Sequence, residues 1–161
     1  LPYCTSIGHS ATVRAMEASM WADTLLAAER AHLARLLVWA AGSLLAGTAL
    51  LAWLQIGHRR SALLEHFGLQ TAGWGAAELA FAAIARASLA VRDLAGATRL
   101  DRLLWLNIGL DGGYVLVGAT LAVTGWMLGR RLGLIGAGLA IVLQGAALAL
   151  LDLLLAGQIS R

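Results

Sequence analysis

The stretch LGLIGAGLAIVLQGAALALLDLLLA, residues 132–156, carries a single charged side chain, Asp152. It is longer than the roughly 18 to 20 residues an α-helix needs to cross about 30 Å of hydrocarbon. Three other stretches read the same way: 36–56, 63–89 and 103–128. Trp39 and Trp53 sit near the ends of the first, where interfacial tryptophan is expected. The stretch 63–89 is the least apolar and carries Glu65, His66, Gln70 and Glu78. None of the four alternates with period two, which excludes a β-barrel.

The connections fix the topology. Gly57-His58-Arg59-Arg60-Ser61 and Gly129-Arg130-Arg131 make tight polar turns. The middle connection, 92–102, holds Arg92, Asp93, Arg99, Asp101 and Arg102, and is expected to contain a short surface helix. Short connections favour antiparallel neighbours. The expected fold is therefore all-α: an integral membrane four-helix bundle running up-down-up-down.

Composition agrees. Of the 161 residues, 60% are hydrophobic and 13% charged, and the mean hydropathy is +0.76. Soluble domains carry about 25% charged residues, and so short a chain has too little interior to hide this much apolar surface from water. The lipid bilayer is the expected surrounding. The net charge is +3, and every basic residue is Arg. No dense basic run with interleaved aromatics occurs, so no nucleic-acid partner is expected.

The N-terminal part reads differently. Residues 1–10 look irregular, punctuated by Pro2 and Gly8. From 11 to 34 the pattern is helical and amphipathic: Met16, Met20 and Leu25 alternate with Arg14, Glu17, Asp23, Glu29 and Arg30. Such a segment lies in the interface or packs on a partner, and it leads without a breaker into the first span. The expected division is 1–34, an N-terminal segment with this helix, and 35–161, the bundle. Cys4 is the sole cysteine, which rules out an intrachain disulfide. Tyr3 is too large for the position before a lipidated cysteine.

Orientation draws on two opposed signals. One face holds the two Arg-Arg turns. The other holds eight of the twelve Arg, including Arg35, Arg86 and Arg161, so a strict positive-inside count favours a cytoplasmic N-terminus. The start at Leu1 rather than Met fits a removed signal peptide and an external N-terminus. The expectation adopted is a bacterial inner-membrane protein with both termini outside the cytoplasm.

The spans carry an unusual polar set. Glu78 lies 17 residues beyond Ser61, roughly 26 Å at 1.5 Å per residue. Asp111 lies 19 residues from Arg130, and Asp152 lies 21 from Arg131. With helix tilt these depths coincide, so three carboxylates on three helices are expected to meet near the face opposite the Arg-Arg turns. Asn107, Asp111, Tyr114 and Gly118 follow one helical stripe; Gln144, Leu148 and Asp152 follow another. His66, Gln70, Trp74 and Glu78 make a third, which drifts around its helix. The candidate cluster is Glu78, Asn107, Asp111, Tyr114, Gln144 and Asp152, with Arg35, Arg86 and Arg102 near enough to pair with the acids. Two readings stand side by side. In one, the acids lock helix register through hydrogen bonds to Asn107, Tyr114, Gln144 or an Arg. In the other, they bind a cation or relay protons.

Small residues recur four apart: Ser43 and Gly47, Gly109 and Gly113, Gly136 and Ala140, Gly145 and Ala149. This spacing lets helix backbones approach closely in lipid. It points first to packing within the chain and second to contact with another subunit.

No cofactor is expected. Haem or metal would need His at matching depth on two helices, whereas His32 and His66 open the first two spans at opposite faces. No Cys-His pair is placed for nucleophilic catalysis, and Ser43 has no nearby His. Gly109 to Gly113 lies inside an apolar helix, not between a strand and a helix, so it is no phosphate loop.

The run Leu106-Asn107-Ile108-Gly109-Leu110-Asp111, followed by Tyr114 and Gly118, then Gly136, Gln144-Gly145 and Asp152, resembles an uncharacterised family of small bacterial four-span membrane proteins, a domain of unknown function. The resemblance is best over 103–157. It implies a signal peptide and an external N-terminus. On the second span that family tends to have a His and then Asn residues around a Trp. Here His66 and Trp74 remain, but Gly75 and Glu78 stand where Asn is expected. The resemblance brings no activity with it. The expected function is a structural or accessory subunit of a membrane protein complex, with other membrane protein subunits as partners. The alternative is a small cation- or proton-coupled carrier or channel using Glu78, Asp111 and Asp152. A weaker third idea is an intramembrane enzyme acting on lipid, whose sign would be a deep lipid-open cleft beside Asp111.

Overall fold

The computed structural model describes residues 4–159, with side chains from 16 onward apart from 17 and 18. Four helices follow in order: α1 (Cys4–Ile56), α2 (Ala62–Ala87), α3 (Leu94–Met127) and α4 (Leu132–Ile159). No strand occurs among the described residues. The spans are rich in Leu and Ala, both strong helix formers, and the chain's one Pro is Pro2. Three stretches are long and apolar enough to cross a membrane: Ser19–Ile56, Leu94–Met127 and Leu132–Ile159. α2, at 26 residues with Glu65, Glu78 and Arg86 along it, has the length but is not one of these three.

Two sequence expectations change. The irregular 1–10 segment is helical from Cys4; residues 1–3 lie outside the described residues. The amphipathic segment leads without a break into the first span, as expected, and the two form one helix of 53 residues. Its Arg14 and Glu17 side chains lie outside the described residues. Of its three apolar markers Leu25 is buried, while Met16 and Met20 are exposed. The expected surface helix at 92–102 is the first part of α3. That helix starts at Leu94 behind Asp93, whose carboxylate accepts from the Gly96 amide at 2.8 Å and so caps it.

Both Arg-Arg turns are tight. Ser61 caps α2, its hydroxyl accepting from Leu64 N, after His58 reverses the chain at φ 49. Gly129 and Arg130 do the same between α3 and α4 at φ 77 and 58, closed by the Arg131 amide donating to Gly125 O at 2.7 Å. Each turn lays an arginine over the tryptophan that ends the preceding helix. Arg59 stands 4.8 Å from the Trp53 ring and Arg130 4.5 Å from Trp126, a cation–π contact suited to the interface.

The two hairpins, α1–α2 and α3–α4, join through α4, which packs against all three other helices. Close approach rests on glycine. A methyl on Gly47 would stand 2.5 Å from Ala72 N and 2.6 Å from Gly68 O, and one on Gly75 would collide with the Leu44 backbone. Gly136 sits against the Leu63 carbonyl, joining α4 to α2. Gly118 and Gly138 face each other between α3 and α4, and Gly145 meets Asp111 O there. The expected pair Gly109 and Gly113 packs against nothing: a methyl on either meets no atom within 4 Å. These two point away from α4, where spacing alone cannot distinguish an inner face from an outer one.

Among the described residues, no Cα of α2 approaches one of α3 within 8 Å. The bundle is therefore open between these two helices, and the opening forms the site.

Candidate functional site

The gap between α2 and α3 is a cleft of about 450 Å³. α2 and α3 form its walls, and α1 and α4 supply Glu29, His32, Leu148 and Asp152 from behind. At one end Trp74 meets Tyr114 edge to face, with ring centroids 4.9 Å apart and planes at 65°. At the other, Leu104 of α3 packs with Leu155 and Ala156 of α4 and with Ala28 of α1. The connection from α2 to α3 is tied down beside them: Arg92 Nε donates to Glu29 Oε1 at 2.7 Å.

Of the six candidate residues, five line this cleft: Glu78, Asn107, Asp111, Tyr114 and Asp152. Gln144 does not. It is 1% exposed on α4, and its Oε1 accepts from Trp39 Nε1 at 2.7 Å, tying α4 to α1. Asn107 lines the cleft but is exposed.

The acids fall into two kinds. Asp152 has a partner: its Oδ1 lies 3.3 Å from His32 Nε2, both side chains being buried. Glu78 and Asp111 are 9% and 5% exposed, and both Glu78 oxygens and Asp111 Oδ2 are buried without a hydrogen-bond partner. A buried polar atom left unpaired costs about 1–3 kcal/mol, so a fold that retains two such groups on facing walls concentrates its strain in one place. Of the arginines expected to pair with the acids, Arg35, Arg86 and Arg102 form no ion pair among the described residues. Arg92 pairs instead, and with Glu29 rather than with the three candidate acids. The hydrogen bond to Glu29 raises the Arg92 guanidinium above its already high range, its charge attraction adds to that, and burial opposes it. Arg92 thus stays charged at every pH of interest.

Three participants escaped the sequence reading: Glu29, His32 and Arg92. The first two had a signal, because Glu29, His32 and Leu36 follow helical spacings of three and four, and all three line the cleft. Among the described residues, no group of three His, Cys, Asp or Glu side chains is arranged to hold a metal ion.

The cleft thus joins apolar walls, an aromatic end and two buried acids without a partner. Chemically it can hold a positive charge from both sides or pass a proton between acids. A family model described as a family of unknown function, DUF6992, matches residues 35–153. This span takes in α2, including His66, Trp74, Gly75 and Glu78. No curated protein and no solved structure gives a significant match.

Proposed function

This chain belongs to the DUF6992 family of unknown function, and from its geometry we propose that it is a small cation- or proton-coupled membrane carrier or channel working through the carboxylates of the α2–α3 cleft. One observation carries the reading: Glu78 and Asp111, buried and unpartnered, face the same cleft from opposite walls. Ionisable groups within membrane-crossing helices are costly and tend to mark ion or proton pathways. His32 beside Asp152 supplies a further proton-exchanging group at the back of the same cleft. In this reading α2 crosses the bilayer as a fourth span, its polar side turned to the cleft and to α1 and α4. The first part of α1, where Met20 and Trp21 are exposed, lies along the interface, while Leu25, Glu29 and His32 are already buried in the bundle. The protein sits in a bacterial inner membrane with both termini outside the cytoplasm. An enzyme acting on lipid would likewise use an open cleft beside Asp111, but it has less support, since Ser88, the serine that lines this cleft, directs its hydroxyl at Ala85 O at 3.0 Å.

The test is dissipation of an imposed pH gradient in proteoliposomes, with alkali cations or organic amines supplied on the opposite side. Wild type dissipates the gradient, and Asp111→Asn lowers the rate at least tenfold while the protein stays monodisperse. A wild type that moves no charge under any of these gradients refutes the reading.

A second reading is an accessory subunit of a membrane protein complex. It is favoured by Met16, Met20 and Trp21, which are exposed on the part of α1 that precedes the bundle. Native mass spectrometry after gentle extraction tests it: stoichiometric partner chains support it, and a lone chain counts against it.

A further inference from the structure

We infer that the cleft between α2 and α3 binds an amphiphilic organic cation, one positive centre carried on an apolar body, which enters sideways between the two helices. The inference deepens the carrier reading by naming the class of cation, and it rests on that reading.

Charge comes first. Four acids line the cleft: Glu29, Glu78, Asp111 and Asp152. Arg92 neutralises Glu29 at 2.7 Å, and His32 faces Asp152 at 3.3 Å. Glu78 and Asp111 remain, both more than nine-tenths buried, with oxygens that lack any partner. An anion is disfavoured by the excess of acids over bases in the lining, and the guanidinium there, Arg92, is already paired with Glu29. A neutral polar ligand leaves the two carboxylates without a counter-charge.

The walls argue against a bare inorganic ion. Calcium and magnesium take six or more oxygen ligands and zinc a tetrahedral set, and no group of three His, Cys, Asp or Glu side chains arranged to hold such an ion occurs among the described residues. The surfaces around the two carboxylates are instead leucine and aromatic: Leu100, Leu103, Leu110 and Phe81 toward the opening, Trp74 and Tyr114 at the end. The ring faces favour a poorly hydrated organic cation, and the leucines cover its apolar remainder. The volume of about 450 Å³ falls within the range of about 300–1,000 Å³ typical of sites for drug-sized molecules.

Access completes the case. α2 and α3 make no close backbone approach among the described residues, and Phe81, Leu103 and Leu110 are exposed along the opening. In a bilayer that opening faces acyl chains, where an amphiphilic cation already partitions with its charge near the headgroups.

The experiment is equilibrium binding of tritiated tetraphenylphosphonium to the protein in lipid nanodiscs, with empty nanodiscs as background. No gradient is present, so the result is separate from the flux assay. Binding without flux would defeat the carrier reading and leave this inference standing; flux without binding would do the reverse. Saturable binding is expected. Glu78→Gln and Asp111→Asn should each weaken it at least tenfold. Ser88→Arg, on the exposed rim of the cleft, adds a repelling charge without touching the buried cluster and should weaken binding several-fold even if a neutralised acid disturbs folding. Triphenylphosphine oxide, an uncharged molecule with a similar aromatic body, should not compete, and tetramethylammonium, a cation without the apolar body, should compete at least a hundredfold more weakly. Binding that ignores all three substitutions, or competition by either control equal to that of unlabelled tetraphenylphosphonium, overturns the inference.

Discussion

Replacing Gly118 by Ala tests the closest approach of the α3–α4 hairpin. The added methyl would stand 2.7 Å from Gly138 O and 2.7 Å from Val142 N. Both are backbone atoms of α4, which is held by α1 and α2 on its other sides and has nowhere to retreat. Ordinary contact for such a carbon begins at 3.4 Å, against the 2.7 Å available, so α3 must back away by about 0.7 Å. Overpacking of this kind costs about 1–3 kcal/mol, while exchanging Gly for Ala inside a helix returns about 1 kcal/mol. The net expected loss is about 1 kcal/mol, roughly a fivefold drop in the folded-to-unfolded ratio. Gly109→Ala is the internal control, since its methyl meets nothing within 4 Å and only the propensity gain of about 1 kcal/mol remains. The two variants should therefore differ by about 2 kcal/mol. Reversible unfolding in mixed SDS micelles, followed by tryptophan fluorescence, resolves that difference. Equal stabilities, within about 0.5 kcal/mol, would refute the packing argument.

Three further outcomes follow from the geometry. A double-mutant cycle of His32→Ala and Asp152→Ala should give a coupling near the average of about 0.6 kcal/mol for polar pairs in membranes; strictly additive losses would show that the two side chains do not interact. Arg92→Ala leaves the buried Glu29 carboxylate without its donor and should lower stability by about 2 kcal/mol, with only partial recovery in Arg92→Lys, read by thermal melting of the purified protein; an unchanged melt would place the ion pair among surface pairs of no consequence. In a Cys4→Ser background, cysteines at Arg60 and Arg131 should take up an impermeant maleimide from one side of the membrane and a cysteine at Gln158 from the other; labelling of Arg60 and Arg131 from opposite sides would mean that α2 does not cross.

The four helices were legible because each span is a long apolar run ended by glycine, arginine or both, and nothing in the packing contradicts that local signal. The turns were legible for the same reason. Continuity from the amphipathic segment into the first span was legible too, because no residue between 11 and 56 breaks a helix; the start was not, since Gly8 read as punctuation and α1 begins at Cys4. Depth counting brought Glu78, Asp111 and Asp152 to one level, and all three line the cleft. It could not supply the partners. Which arginine reaches which acid depends on the path of the connection after α2, and this puts Arg92, not Arg86 or Arg102, beside Glu29. Gln144 shares a stripe with Asp152 but points to Trp39, because a stripe on α4 meets different helices along its length. Spacing within one helix likewise ranked Gly109 and Gly113 with Gly136, whereas close approach is a property of two helices at once, as Gly118 and Gly138 show.

The central place of α4 has a consequence for how the sequence can vary. With neighbours on three sides it buries ten residues, Gly136, Gln144 and Asp152 among them, against five for the longer α3. At most of these ten positions a larger side chain collides and a smaller one leaves a gap. Random substitution should therefore be tolerated least along α4 and most along the outward side of α3, where Gly109, Gly112 and Gly113 face open space. The helix with the fewest charges is in this sense the one with the least freedom to drift, and a saturation library scored for surface expression would draw that contour directly.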